Sequence, residues 1–152
     1  MNQPRLQVEA VHGGELSMDG QVYIPLTRTF EVTVTEAETI VAWKIPAGTF
    51  VKQAIAQIET ALNGSGTVEL GVDSNLDEFI DGADWVETNA DAWATNLGSS
   101  NADQPNGKYY PTGGDMKVTI GGAPTAGKVR FVVEYYLFDD MFDGDFGPNS
   151  DL

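Results

Sequence analysis

The residues with chemistry to offer are few and mostly acidic. Asp73-Ser74-Asn75-Leu76-Asp77 places oxygen ligands at alternate positions, as the opening of an EF-hand loop does, and Asp84 falls at the twelfth place. The sixth place is Glu78, where that loop needs Gly for its sharp turn, and Asp84 stands where Glu is required. No amphipathic helices flank the segment. The pattern argues against an EF-hand and favours an Asx-rich turn. It leaves open a looser Ca²⁺ site at Asp73, Asn75 and Asp77, since hard cations prefer such oxygen clusters. The one histidine, His12, sits in a Gly-flanked turn. A Ser-His-Asp site would have to use it, and no Gly-x-Ser-x-Gly elbow exists.

Other catalytic and binding chemistries find no support. One His and no Cys argue against zinc, and disulfides are excluded. No Gly-x-x-x-x-Gly-Lys-Ser/Thr loop is present, and the glycine pairs at 113–114 and 121–122 read as turn glycines. Nothing in the spacing of the many acids picks out a glycosidase pair. Trp85 and Trp93, set among acids, suggest a carbohydrate-binding face or, more simply, anchors for a long loop. The sequence therefore assigns no catalytic, cofactor-binding or metal-ligating residue, and the expectation is a protein that is not an enzyme.

Charge is the strongest bulk feature. Twenty-three acids against eight bases give a net of −15. Phosphate neutralisation needs clustered Lys and Arg, so the expectation is no direct nucleic-acid partner and no anionic membrane. Between Lys52 and Lys108 there is no Lys or Arg, while that interval carries Glu59, Glu69, Asp73, Asp77, Glu78, Asp81, Asp84, Glu87, Asp91 and Asp103. A second acidic patch runs through Asp139, Asp140, Asp143, Asp145 and Asp151. Such a surface keeps a protein soluble, and it also suits a basic partner or cations. No apolar run is long enough to cross a bilayer as a helix, and MNQPRLQVEA lacks the charged-then-apolar pattern of an export signal.

The elements that position these residues read as strands. At 152 residues the chain fits one domain. Lys128 to Phe138, KVRFVVEYYLF, is its longest apolar run. Val129, Phe131, Val133, Tyr135 and Leu137 share one face; Arg130, Val132, Glu134, Tyr136 and Phe138 share the other. Period-two alternation of β-branched and aromatic residues predicts an interior strand that closes a sandwich. Val22–Leu26 reads as a short strand with Pro25 at its end. Thr29–Thr35 follows, with Phe30, Val32 and Val34 inward, and then Ile40–Ile45, with Val41, Trp43 and Ile45 on one face. Residues 50–62 fit either a helix, by the spacing of Val51, Ala54, Ile55, Ile58 and Leu62, or a long strand. The flanks favour the strand, with Asn63-Gly64-Ser65-Gly66 forming a hairpin to Thr67–Val72. Asp73 to Thr112 reads as loop, with helical turns possible at Asn75–Ile80 and Ala90–Asn96 and anchors at Leu76, Phe79, Ile80, Trp85, Trp93, Leu97, Tyr109 and Tyr110. Met116–Ile120 is a short strand. The expected architecture is all-β: an antiparallel, jelly-roll-like β-sandwich over residues 21–138, with an arm at 1–20 and an acidic tail at 139–152. The tail keeps Met141, Phe142 and Phe146, which suit docking on a neighbouring subunit.

The order of these features resembles a family of small β-rich virion structural proteins of tailed bacteriophages, often head-associated. The likeness rests on Ile45-Pro46-Ala47-Gly48-Thr49 before a long strand through Ile58, and on Asn63-Gly64-Ser65-Gly66-Thr67 leading to Val68-Glu69-Leu70-Gly71-Val72-Asp73. It continues through the polar segment Glu78–Gly82 and ends at Ala126-Gly127-Lys128-Val129-Arg130-Phe131-Val132-Val133-Glu134-Tyr135-Tyr136. The resemblance covers roughly residues 30–137 and contains no catalytic motif. It implies a non-enzymatic component of a phage particle that binds the major capsid protein as a decoration or cement protein. It implies further a homo-oligomer, trimer favoured, made in the host cytoplasm and lying on the outer surface of the virion. The alternative is a tail, fibre or head-fibre adhesion module binding a host glycan or protein through Trp85, Trp93, Tyr109 and Tyr110.

Overall fold

The computed structural model describes residues 15–16 and 22–138. Eleven strands follow one another among them: β1 (Glu15–Leu16), β2 (Val22–Tyr23), β3 (Leu26–Thr33), β4 (Glu38–Ile45), β5 (Thr49–Thr60), β6 (Thr67–Val72), β7 (Asn75–Ile80), β8 (Trp93–Thr95), β9 (Lys108–Tyr110), β10 (Gly114–Gly121) and β11 (Lys128–Leu137). One 3₁₀ turn, Gly82–Asp84, interrupts them, capped where Asp81 Oδ1 accepts from Ala83 N. His12, most of the predicted arm and the whole predicted tail lie outside the described residues.

The strands form a sandwich of two antiparallel sheets, as the alternation predicts. One sheet runs β4-β10-β6-β7; the other runs β3-β11-β5, with β8 and β9 both pairing the far side of β5. β1 and β2 pair separately. β11 is interior, held between β3 and β5, and Val129, Phe131 and Val133 are buried with no exposure. The core lies between the sheets. Ala54, Ala56 and Ile58 of β5 face Val68, Leu70 and Val72 of β6 and Met116, Val118 and Ile120 of β10 across it. Phe30 stacks on Phe131 at 5.2 Å between ring centroids.

Residues 50–62 resolve as a strand, but its faces are not those that strict alternation gives. Gln53 pairs Glu134 and Val51 pairs Tyr135, so Lys52 is an extra residue, a β-bulge. The bulge switches the inward set from Thr49 and Val51 to Ala54, Ala56 and Ile58, and turns Phe50 outward. A second bulge, at Ala42, does the same in β4: Met116 pairs Trp43 while Lys117 pairs Val41. Val41 is therefore 46% exposed although two residues from buried Trp43, and Ile40 turns inward in its place.

Two expected connections differ. Asn63–Gly66 is not a hairpin, because β5 and β6 lie in opposite sheets and the segment carries the chain across the sandwich. Asn63 braces the crossing: its Oδ1 accepts from Thr125 N and Ala126 N, and its Nδ2 donates to Thr125 Oγ1. The true hairpin lies one step later, where the two residues Asp73-Ser74 join β6 to β7. Asn75–Ile80, read as a helical turn, is strand β7, and Ala90–Asn96 contains strand β8. Gly71 is required at this hairpin. A Cβ there would lie 1.9 Å from the Asn75 carbonyl oxygen, because the pair is bulged between Leu70 and Val72.

Candidate functional site

Two of the three residues that resembled a cation site, Asp73 and Asn75, are engaged in structural bonds. Asp73 sits at φ 55° in the β6–β7 turn, its Oδ1 accepts from Asp115 N at 2.9 Å, and its own N–H donates to Asp115 O. Asn75 Nδ2 donates to Asp103 Oδ2 at 2.9 Å. Glu78 points the other way, into the protein, with 1% exposure. Tyr110 donates to its Oε1 at 2.8 Å and Lys108 to its Oε2 at 2.7 Å, so the buried carboxylate has a donor on each oxygen. Burial, then the Glu78 carboxylate, pushes the Tyr110 phenol far above its ordinary range and keeps it a donor. Asp73, Asn75, Glu78, Lys108 and Tyr110 all line one cleft of about 330 Å³. Among the described residues, no three Asp, Glu or His side chains are placed to hold a metal ion.

A second acidic group gathers around Gly82, where the carboxylates of Glu69 and Glu87 both approach. Glu87 is buried and its Oε2 accepts from Val68 N at 3.2 Å. Burial pushes the Glu87 carboxyl up, and Asp81 adds to the rise. Burial likewise raises Glu69, helped by Asp77, Asp81 and Glu87. The four aromatic anchors divide. Trp85 and Tyr110 are buried, with Trp85 Nε1 donating to Val68 O; Trp93 is 63% exposed and Tyr109 42%.

The exposed pair belongs to one surface, the outer face of the five-stranded sheet. Register places its residues in rows. Glu31, Arg130, Gln57 and Trp93 stand side by side across β3, β11, β5 and β8; Thr29, Val132, Ile55 and Thr95 form the next row. At the far end Tyr136, Phe50 and Tyr109 align across β11, β5 and β9. Phe138 joins them, its ring centroid 6.2 Å from Phe50, 6.1 Å from Tyr109 and 6.3 Å from Tyr136. Four of the charges on this face form one paired network. Glu31 and Glu59 each bind both Lys128 and Arg130. Arg130, then Lys128, holds the Glu31 carboxyl below its usual range. The face is thus flat, part-aromatic and nearly neutral, with no group poised to make or break a bond. Sequence reasoning placed Tyr136 and Phe138 correctly on the outward side of β11. Read as a strand, residues 50–62 put Phe50 on one face with Ala54, Ala56 and Ile58, interrupted by Lys52; the bulge at Lys52 turns Phe50 outward instead.

No protein-family model matches this chain, and no curated protein does. Its fold is similar to a chain in the cyanophage Pam1 capsid asymmetric unit, with a TM-score of 0.56 and 14% identity over 76% of this chain and 86% of that one. It is similar also to a chain in the acidic stable capsid of Helicobacter pylori bacteriophage KHP30, with a TM-score of 0.54 and 13% identity over 75% of this chain and 88% of that one. At such identities the likeness carries the fold alone.

Proposed function

We propose that this chain is a structural component of a bacteriophage particle, binding the major capsid protein on the outer surface of the shell as a decoration or cement protein. The observation that carries the reading is the shared fold over most of both chains with components of two phage capsid structures. The site geometry is consistent with a non-enzymatic role. The buried Glu78 is fully engaged by Lys108 and Tyr110, and the accessible face offers aromatic area and paired charge. The excess acid lies elsewhere, including Glu69, Asp77 and Asp81 about the four-stranded sheet, and suits a basic patch on a shell. Following the resemblance, the chain acts as a homo-oligomer, trimer favoured, and is made in the host cytoplasm.

The test is co-sedimentation of the purified chain with expanded shells of the phage that encodes it, free of this protein. Binding that weakens with added salt and raises the melting temperature of the shell is the expected result. Shells that leave the protein in the supernatant at low salt overturn the reading. One observation favours an adhesion module instead: exposed Trp93 flanks a shallow depression of about 360 Å³ with Thr95, Ser99 and Ser100. Glycan-array binding lost on Trp93→Ala, with the fold intact, would establish that alternative.

A further inference from the structure

We infer that the outer face of the five-stranded sheet is where a second copy of this chain packs. This deepens the proposed function, resting on its self-associating particle component, and names the surface.

The argument begins with charge. A chain of net −15 repels its own copies, and the repulsion is least where a surface carries no excess of one sign. On this face the carboxylates are Glu31, Glu59 and Glu134 and the cations Lys52, Lys128 and Arg130. Four of those six are locked in one ion-pair network, so the face presents little net charge to a neighbour. The four-stranded side differs: Glu69, Asp77 and Asp81 gather there, while of its cations Lys44 is paired to Asp115 and Lys117 stands two residues along β10 from the partner of Glu69, which leaves an excess of acid. A basic partner suits that side. A like-charged copy suits the neutral one.

Composition points the same way. Aromatic residues and Arg are what the centres of protein interfaces concentrate. Here Trp93 stands at one end and Tyr109 with Phe138 at the other, while half-buried Val132 and Ile55 lie between them. The rows through Arg130, Val132, Glu134 and Tyr136 of β11 span roughly 20 Å along the strands, at about 6.8 Å per two residues, and roughly 15 Å across four strands at about 4.8 Å spacing. That footprint, roughly 300 Å² per copy before the overhang of its side chains, lies below the standard size of specific interfaces, so association through this face alone is weak and depends on concentration, with a dissociation constant roughly in the high-micromolar range.

The molecule carries its own reporter. Trp93 is exposed on this face, whereas Trp43 and Trp85 are buried. Sedimentation velocity and acrylamide quenching of Trp fluorescence should be followed together on the full chain, from below to above the micromolar range. Association is expected to rise in step with protection of Trp93. Val132→Glu and Tyr109→Glu, chosen at the centre and the rim, should each weaken association about 30-fold or more while keeping the wild-type melting transition. Val41→Glu, an exposed position on the four-stranded sheet, should associate as wild type does. Association unchanged in both face variants overturns the inference and leaves shell binding untouched. A wild type that stays monomeric with Trp93 fully quenchable at every concentration also overturns it, whatever the shell assay shows. So does protection of Trp93 in the monomer that disappears when residues 139–152 are removed, since the occupant is then the chain's own tail. Failure of shell binding with association intact sinks the capsid reading alone.

Discussion

Asn96 is the residue whose removal tests the packing argument most directly. On the edge of β5 away from β11, β8 pairs Ile55 to Gln57 and β9 pairs Thr49 to Val51, so the backbone between them, where the Lys52 bulge falls, faces no strand and wants partners. Asn96 supplies them. It has no exposure, its Oδ1 accepts from Ala54 N at 2.8 Å, and its Nδ2 donates to Lys52 O at 3.2 Å and to Gln104 O at 2.8 Å. One amide therefore bridges the gap between β8 and β9 and ties the long loop to β5. Asn96→Ala strands three backbone groups. An unsatisfied buried group costs about 1–3 kcal/mol, and relaxation of the loop admits water to some of them, so the expected loss is about 3 kcal/mol. For a chain of this size that corresponds to a fall of roughly 6–12 °C in melting temperature. Asn96→Asp keeps the acceptor but aims an anion at two carbonyl oxygens, so it should lose at least as much. The assays are urea unfolding and amide hydrogen exchange, with the Ala54 amide losing its protection in Asn96→Ala. A stability within about 0.5 kcal/mol of wild type, or an unchanged exchange rate at Ala54, would refute the reasoning.

Four further outcomes are expected. Lys108→Met leaves Glu78 Oε2 buried without its donor; since Lys108 is itself part-exposed, the cost should be about 1–3 kcal/mol, and Tyr110→Phe should cost about as much, both read from denaturant midpoints. Stability should fall as pH rises from about 4.5 through the raised pKa values of Glu69 and Glu87, because the folded state holds those protons more tightly than the unfolded chain. Glu87→Gln, which can still accept from Val68 N, should flatten that slope in urea titrations and match or exceed wild type at pH 7. Gly71→Ala should abolish folding or cost more than about 3 kcal/mol by circular dichroism, since the clash is with backbone. Chelator should leave the melting temperature unchanged, because Asp73 and Asn75 are already engaged by Asp115 and Asp103; a rise of several degrees on adding Ca²⁺ would contradict this.

The sandwich was legible because its central strands obey period two almost without fault. Phe30-Val32-Val34, Val68-Leu70-Val72 and Val129-Phe131-Val133 name their own buried face. The bulge at Ala42 was not legible, and the one at Lys52 showed only as a charge breaking an apolar face, since an inserted residue shifts which side chains face inward without altering their types. Strands β7 and β8 were hidden for a different reason. Asn75-Leu76-Asp77-Glu78 and Trp93-Ala94-Thr95 show no apolar alternation, because the first buries a carboxylate supplied with donors from β9 and the second presents its Trp to solvent. The supposed hairpin at Asn63–Gly66 failed because turn residues specify a change of direction but not which sheet receives the next strand. The outer face became visible only through register, which brings together Phe50, Tyr109 and Tyr136 from positions up to 86 residues apart.

The last of the described strands, β11, occupies the middle of its sheet, between β3 and β5. While the ribosome is still adding residues before Lys128, the two flanking strands have finished synthesis and have nothing between them to bond. The sheet forms by late insertion, and until then both sides of the gap expose open backbone. A nascent chain stalled before Leu137 would therefore be a target for chaperones and proteases, and the cell would accumulate either the finished brick or nothing.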